Sequence, residues 1–124
     1  MTQHTLFVYG TLKKNFSNHH LLRTAEFCGK GRTQQKYAMY VDGIPYVVRN
    51  QQTSFIYGEL YLIDACQLER IDRLEGHPEW YCREQVQIIH DQRKIVTAWM
   101  YLFPDRIGTL NPTGRYQQPV YRWR

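Results

Sequence analysis

Thr5-Leu6-Phe7-Val8-Tyr9-Gly10-Thr11-Leu12-Lys13-Lys14 is an apolar and aromatic run that stops abruptly at a glycine. Its first half favours a β-strand, and at Gly10 backbone can approach a ligand because no side chain intervenes. The polar, helix-compatible residues after Thr11 predict a tight loop leading into a helix, and loops at strand ends are favoured binding places. Taken alone, the passage reads as a buried first strand followed by an ordinary turn. Its meaning changes with what lies downstream.

Beyond the loop, Asn18 is a candidate cap for one short helix, His19-His20-Leu21-Leu22-Arg23, approached through Asn15-Phe16-Ser17. Residues 25–35 and 37–41 read as extended, with Gly29 and Gly31 permitting a bend or bulge. Asp42-Gly43 is a hairpin turn signal, Tyr46-Val47-Val48-Arg49 the returning strand, and 50–54 a polar loop. The longest strand candidate is Phe55-Ile56-Tyr57-Gly58-Glu59-Leu60-Tyr61-Leu62-Ile63. Alternation puts Ile56, Leu60 and Leu62 on one face and Phe55, Tyr57, Glu59 and Tyr61 on the other. Both faces are largely apolar or aromatic, which predicts a sheet covered on both sides, for instance curled, with helices outside and an aromatic cavity inside. Residues 81–90 and 94–103 make two more strands joined at His90-Asp91-Gln92-Arg93; Pro104 ends the second, and Asn111-Pro112-Thr113-Gly114 marks an irregular tail. With no repeat, low-complexity segment or linker, residues 1–124 are read as a single domain.

The clearest helix spans 65–74. Asp64 caps it, Gln67 can reach back to complete a variant capping box, Gly76 stops it and Pro78 prevents its resumption. Leu68 and Ile71 face inward, and four residues further along the same stripe stands Glu75, while Glu69 and Arg73 form the solvated face. A carboxylate there meets the unfavourable end of the helix dipole and an apolar surrounding, both of which raise its pKa. Lys or Arg would suit the position better, and such local conflicts concentrate at functional sites. The alternative is a frayed helix end from which Glu75 reaches water or pairs with Arg73 or Arg83. Asp72 is a rival acid nearer the edge of the stripe, and Glu59 is either an enclosed carboxylate or a surface, salt-bridged one. Glu75 ranks first.

Composition narrows the class. Hydrophobic residues make up 43% of 124 residues, which predicts a globular chain. No membrane-length apolar run or signal-like amino terminus is visible, and the expectation is a soluble cytoplasmic protein, a monomer with no membrane partner. Cys28, Cys66 and Cys82 form no Cys-x-x-Cys pair, so reduced, mostly buried thiols are expected. The five histidines, at positions 4, 19, 20, 77 and 90, lack ligand spacing, and no metal or other cofactor is expected. A net charge of +5 raises the possibility of an anionic partner, yet Lys13-Lys14, Lys30, Arg32, Lys36, Arg93-Lys94 and Arg122-Trp123-Arg124 are scattered along the chain. Scattered charge is read as solvated surface, so no nucleic acid is expected.

These features together resemble the gamma-glutamylcyclotransferase superfamily, closest to the gamma-glutamylamine cyclotransferases and AIG2-like proteins. The resemblance runs through Val8-Tyr9-Gly10-Thr11-Leu12-Lys13, Asn18-His19, Leu22 and Gly31-Arg32-Thr33. It continues through Gly58-Glu59-Leu60-Tyr61, Leu74-Glu75-Gly76-His77-Pro78, Tyr81-Cys82-Arg83 and Ala98-Trp99-Met100-Tyr101. A Tyr-Gly-Thr-Leu loop with a downstream Leu-Glu and a Tyr six residues beyond it is far more specific than either motif alone. The resemblance implies an α+β fold, a small mixed β-barrel flanked by short helices, with the loop and Glu75 meeting at one cavity. It implies that Tyr9, Gly10, Thr11 and Leu12 hold the gamma-glutamyl part of a small-molecule substrate and that Glu75 is the catalytic acid/base. Some relatives carry Ser or Ser-Asn after the glycine, so Thr11-Leu12 argues against the glutathione-type and gamma-glutamyl-amino-acid branches. The tail 107–124 matches only loosely.

The implied reaction is a metal-free, lyase-type intramolecular acyl transfer. The substrate's α-amine attacks its own γ-carbonyl, closing 5-oxoproline and expelling an amine, so positioning is the main requirement. Glu75 with a raised pKa would move the protons, consecutive N–H groups of the Gly10 loop would hold oxyanion and carboxylate, and Tyr9, Tyr81 and the aromatic face of 55–61 would shape the leaving-group side. Tyr81 is equally readable as a core aromatic. The competing reading is a non-catalytic small-molecule or single-stranded RNA binding module on the same barrel, which predicts Lys/Arg clustered beside aromatics.

Overall fold

A computed structural model describes residues 3–117; the terminal Arg122-Trp123-Arg124 cations lie outside them. The opening run is strand β1 (Gln3–Val8), and its second half, Leu6-Phe7-Val8, is uninterruptedly apolar because both of its faces are covered. Phe7 points into the interior of a barrel, while Leu6 and Val8 point outward beneath a helix. Fully burying such side chains contributes roughly 1.5–3 kcal/mol each.

The other strands are β2 (Glu26–Thr33), β3 (Ala38–Asp42), β4 (Ile44–Val48), β5 (Tyr57–Asp64), β6 (Cys82–His90), β7 (Ile95–Leu102) and β8 (Thr109–Asn111). Five of them close a barrel in the order β1-β5-β2-β6-β7. Every pairing in it is antiparallel except β1 with β7, which run parallel at Leu6 and Trp99 and make the barrel mixed. Phe7, Leu60, Val86, Ile88, Ala98 and Met100 fill it. The sheet β4-β3-β8 leans on the barrel, tied by the Phe103 N–H donating to the Val47 carbonyl at 2.8 Å.

Helix α1 (Ala65–Glu75) covers Leu6, Val8, Tyr61 and Ile63 with Leu68 and Ile71. Its ends follow the predicted logic. The Asp64 carboxylate accepts from the Gln67 N–H and the Gln67 side chain accepts from the Asp64 N–H, and Gly76 closes the helix in the left-handed region at φ 66°, where glycine carries no Cβ penalty.

Several expectations are corrected. The aromatic face of β5 looks outward, and the barrel interior is a packed, mainly aliphatic core instead of an aromatic cavity. The strand starts at Tyr57, not Phe55, because Ile56 is held by Thr33: its N–H donates to Thr33 Oγ1 and its carbonyl accepts the Thr33 N–H. The helix at 19–23 is a four-residue 3-10 turn, His19–Leu22, and Asn18 makes no cap bond. The tail contains a strand, β8, paired with β3. The thiols are not mostly buried: Cys66 is exposed and Cys28 and Cys82 are half-buried. The extended region after Ala25 does bulge, between Phe27 and Gly29. No helix among the described residues is long and apolar enough to cross a membrane.

Candidate active site

Where β1 ends, the loop Tyr9–Leu12 meets the end of α1 and the start of β4 around a cleft holding about 390 Å³ of empty space, part of it open to solvent. Loop residues 9–12, Ile44, Pro45, Glu75, Tyr81 and Tyr101 line it. Gly10 is required by contact: a Cβ there would stand 2.7 Å from Pro45 Cγ. The loop is braced from behind. Asn18 Nδ2 donates to Thr11 Oγ1 at 2.8 Å, the Asn18 N–H donates to the Thr11 carbonyl, and His19 Nδ1 lies 2.9 Å from the Leu12 carbonyl. Asn18 therefore supports the loop instead of capping a helix. The N–H groups of Gly10, Thr11 and Leu12 donate in no hydrogen bond found among the described residues, so this turn offers successive donors to an anion or developing oxyanion.

Glu75, the last residue of α1, faces this loop. Past Gly76 the chain folds back, with the Tyr81 N–H donating to the Glu75 carbonyl at 3.1 Å and the Trp80 N–H to the Gly76 carbonyl at 2.8 Å, so the helix end is pinned and not frayed. The Glu75 carboxyl joins no ion pair among the described residues, and burial alone pushes its pKa from 4.5 to about 7. The cation expected to neutralise it is engaged elsewhere. Arg83 donates to both Asp72 oxygens, Nε to Oδ1 at 2.8 Å and Nη2 to Oδ2 at 3.2 Å, while Arg73 is exposed.

Three tyrosines enclose the carboxyl, and each sends its proton away from it. Tyr9 donates to the Tyr101 carbonyl at 2.7 Å, Tyr81 to the Pro45 carbonyl at 2.8 Å, and Tyr101 to Asp72 Oδ1 at 2.6 Å. All three phenols are raised, first by burial and also by the nearby Glu75 charge. Tyr81 additionally stacks on Tyr46 with ring centroids 5.6 Å apart, so it is wall and core aromatic at once. Asp72 is ruled out as the free acid: burial would raise it, but hydrogen bonds from Arg83 and Tyr101 leave it below its ordinary value. Glu59 is also outside the cleft, accepting from the Tyr61 hydroxyl and the Lys14 N–H, and the aromatic face of residues 55–61 contributes no wall. Sequence reasoning missed Tyr101, Ile44 and Pro45 as lining residues; the Gly10 to Pro45 contact joins segments with no periodic relation.

The model of the family described as "Gamma-glutamyl cyclotransferase, AIG2-like" matches residues 6–124. The chain belongs to this family. Membership supports a gamma-glutamyl cyclotransferase activity. A "Putative gamma-glutamylcyclotransferase" of Methanocaldococcus jannaschii is 50% identical over 113 residues, 90% of this chain and 94% of that protein. The Homo sapiens "Gamma-glutamylaminecyclotransferase" is 34% identical over 98 residues, 70% of this chain and 64% of that protein. Among solved structures of the AIG2-like fold, the mouse AIG2-like protein superposes with a TM-score of 0.76 at 24% identity, covering 98% of this chain and all of that one (100%), a likeness of fold. Bacillus subtilis YkqA superposes with a TM-score of 0.77 at 31% identity, over 93% of this chain and 40% of that one.

Proposed function

We propose that this gamma-glutamyl cyclotransferase family member acts on gamma-glutamylamines, with Glu75 as the acid/base that moves every proton in the reaction. The observation that carries the reading is that Glu75 is, among the described residues, the only charged side chain lining a cleft whose opposite wall is a loop of unengaged N–H donors. In this reading the loop N–H groups hold the substrate's γ-carbonyl oxygen or α-carboxylate, and the α-ammonium sits against Glu75. The carboxylate accepts a proton from the ammonium, the freed amine attacks the γ-carbon and a new C–N bond forms. The charge on the carbonyl oxygen is met by the loop. The attacking nitrogen then gives up its second proton, the leaving nitrogen gains protons through the carboxyl, and the original C–N bond breaks. The products are 5-oxoproline and a free amine, with no water consumed. A carboxyl titrating near 7 is present in both forms at neutral pH, as this two-way transfer needs.

The choice of amines over α-amino acids rests on the same charge inventory. Among the described residues a leaving group bearing a free carboxylate finds no cationic side chain in the cleft, whereas a neutral or cationic one meets Tyr81, Ile44 and Pro45. The decisive experiment incubates the protein with gamma-glutamyl amines, gamma-glutamyl-lysine peptides and gamma-glutamyl amino acids, following 5-oxoproline by mass spectrometry beside Glu75→Gln. Amine substrates should be consumed by wild type and turned over about 100- to 10,000-fold more slowly by the variant. A Gln variant with a near-normal rate removes Glu75 from the chemistry; preference for amino-acid substrates removes the substrate assignment.

A further inference from the structure

The outer face of β5 that the cleft does not use lines a second, larger groove of about 1130 Å³, open to solvent and walled by β2, the β6–β7 turn, Lys13 and residues 115–117. Cations far apart in sequence converge there: Lys13, Lys30, Arg32, Arg93 and Arg115, against Glu59 and Asp91. Glu59 accepts from the Tyr61 hydroxyl and the Lys14 N–H, both at Oε1, and Asp91 Oδ1 lies 2.9 Å from His90 Nδ1, which itself accepts from the Gln92 N–H. None of the five cations is in an ion pair among the described residues, and residues 118–124 contain no Asp or Glu.

Three of the five cations are held by aromatic rings rather than by acids. The Arg115 guanidinium lies 3.7 Å from the Tyr57 ring centroid and that of Arg32 3.9 Å from Phe55, while the Lys13 ammonium sits 4.8 Å over Phe16 and donates to the Tyr116 carbonyl at 2.6 Å. Stacking fixes a guanidinium plane and leaves most of its N–H fork free, a geometry suited to phosphate oxygens. Burial lowers the Lys13 pKa; Glu59 opposes the shift, and Arg115 and Lys30 add to it, which places all three charges close to the Lys13 ammonium.

We infer that this groove is a binding site for a small oligophosphate, such as tripolyphosphate or the phosphate tail of a nucleotide, separate from the catalytic cleft. Several cations on different elements suit an anion with several charged oxygens. A nucleic acid single strand fits less well, because the rings it would stack bases on are already covered by Arg115, Arg32 and Lys13.

Calorimetric titration of the full chain with pyrophosphate, tripolyphosphate and ATP, at about 50 and 150 mM salt, tests this. Tripolyphosphate should bind saturably and more tightly than pyrophosphate. R32Q, R115Q and K30Q should each weaken it by about tenfold, while R23Q, which removes an exposed charge elsewhere, and E75Q should leave it unchanged. Circular dichroism confirms the fold of each variant, and any one groove variant that folds suffices. Absence of saturable binding at the higher salt, or an equal loss in R23Q, overturns the site. Tighter binding of a single-stranded RNA of about twelve nucleotides than of tripolyphosphate overturns the ligand class.

Discussion

Glu75 carries opposite consequences for chemistry and for stability. Its carboxyl is raised from 4.5 to about 7 by burial, so the folded protein binds that proton more tightly than the unfolded chain does. The charged form is the costly one: stability falls as pH rises from about 4.5 to about 7 and then levels, with a total loss on the order of 3 kcal/mol. Glu75→Gln mimics the neutral form and should remove this slope. Urea unfolding at pH 5 and pH 8 checks it, the variant gaining over wild type at the higher pH; identical pH profiles would mean that the carboxyl is solvated. Asp72, one turn earlier on α1, has the reverse sign, being held below its ordinary value by Arg83 and Tyr101. Asp72→Asn leaves the Arg83 guanidinium without its paired acceptor and should cost about 1–3 kcal/mol in chemical denaturation at pH 7, with a smaller loss of turnover than Glu75→Gln. Glu75 was legible in the sequence because a helical stripe ended on an acid where apolar or basic residues belong. That Asp72 rather than Glu75 takes Arg83 was not legible, since it depends on where β6 lies beside the helix.

Among elements, α1 was the most readable, because its cap, stripe and stop signal are all local and agree with one another. The loop after β1 was readable as a tight turn at a strand end, and it lines the cleft, but its mechanics were not readable. Its glycine answers to Pro45, an unrelated segment in sequence, and Asn18 answers to Thr11 rather than to the helix it precedes. Gly10→Ala should therefore push the loop off β4, costing about 1–3 kcal/mol of stability and lowering kcat/KM at least tenfold. A variant of normal kcat/KM would show that the loop tolerates the shift. Strand β5 shows how alternation identifies two faces without saying which is inside. Leu60 entered the barrel, while Tyr61 and Ile63 went out beneath α1 and Tyr57 into the cationic groove. β8 escaped notice for a simpler reason: three residues between Gly108 and Pro112 are too few to show a period.

For the molecule as a whole, the filled barrel is the main store of stability. Met100 has no exposure at its centre, and Met100→Ala should cost about 2–5 kcal/mol, read as a lower midpoint in guanidinium unfolding with the slope unchanged. Such a loss is a large share of the 5–15 kcal/mol typical of a folded domain. The fold also rewrites the charge pattern, since cations that look dispersed along the chain share one groove once β2, β5 and the β6–β7 turn are side by side. The parallel β1–β7 pairing bears on how the protein is made. Leu6 emerges from the ribosome long before its partner Trp99, and at 5–20 residues per second the delay is on the order of ten seconds. Through that interval the first strand is a sticky, half-partnered ribbon and the cleft behind it lacks its Tyr101 wall. Competence for catalysis then arrives late in synthesis and all at once, and conditions that slow translation past β5 should raise aggregation of nascent chains more than they alter the finished protein.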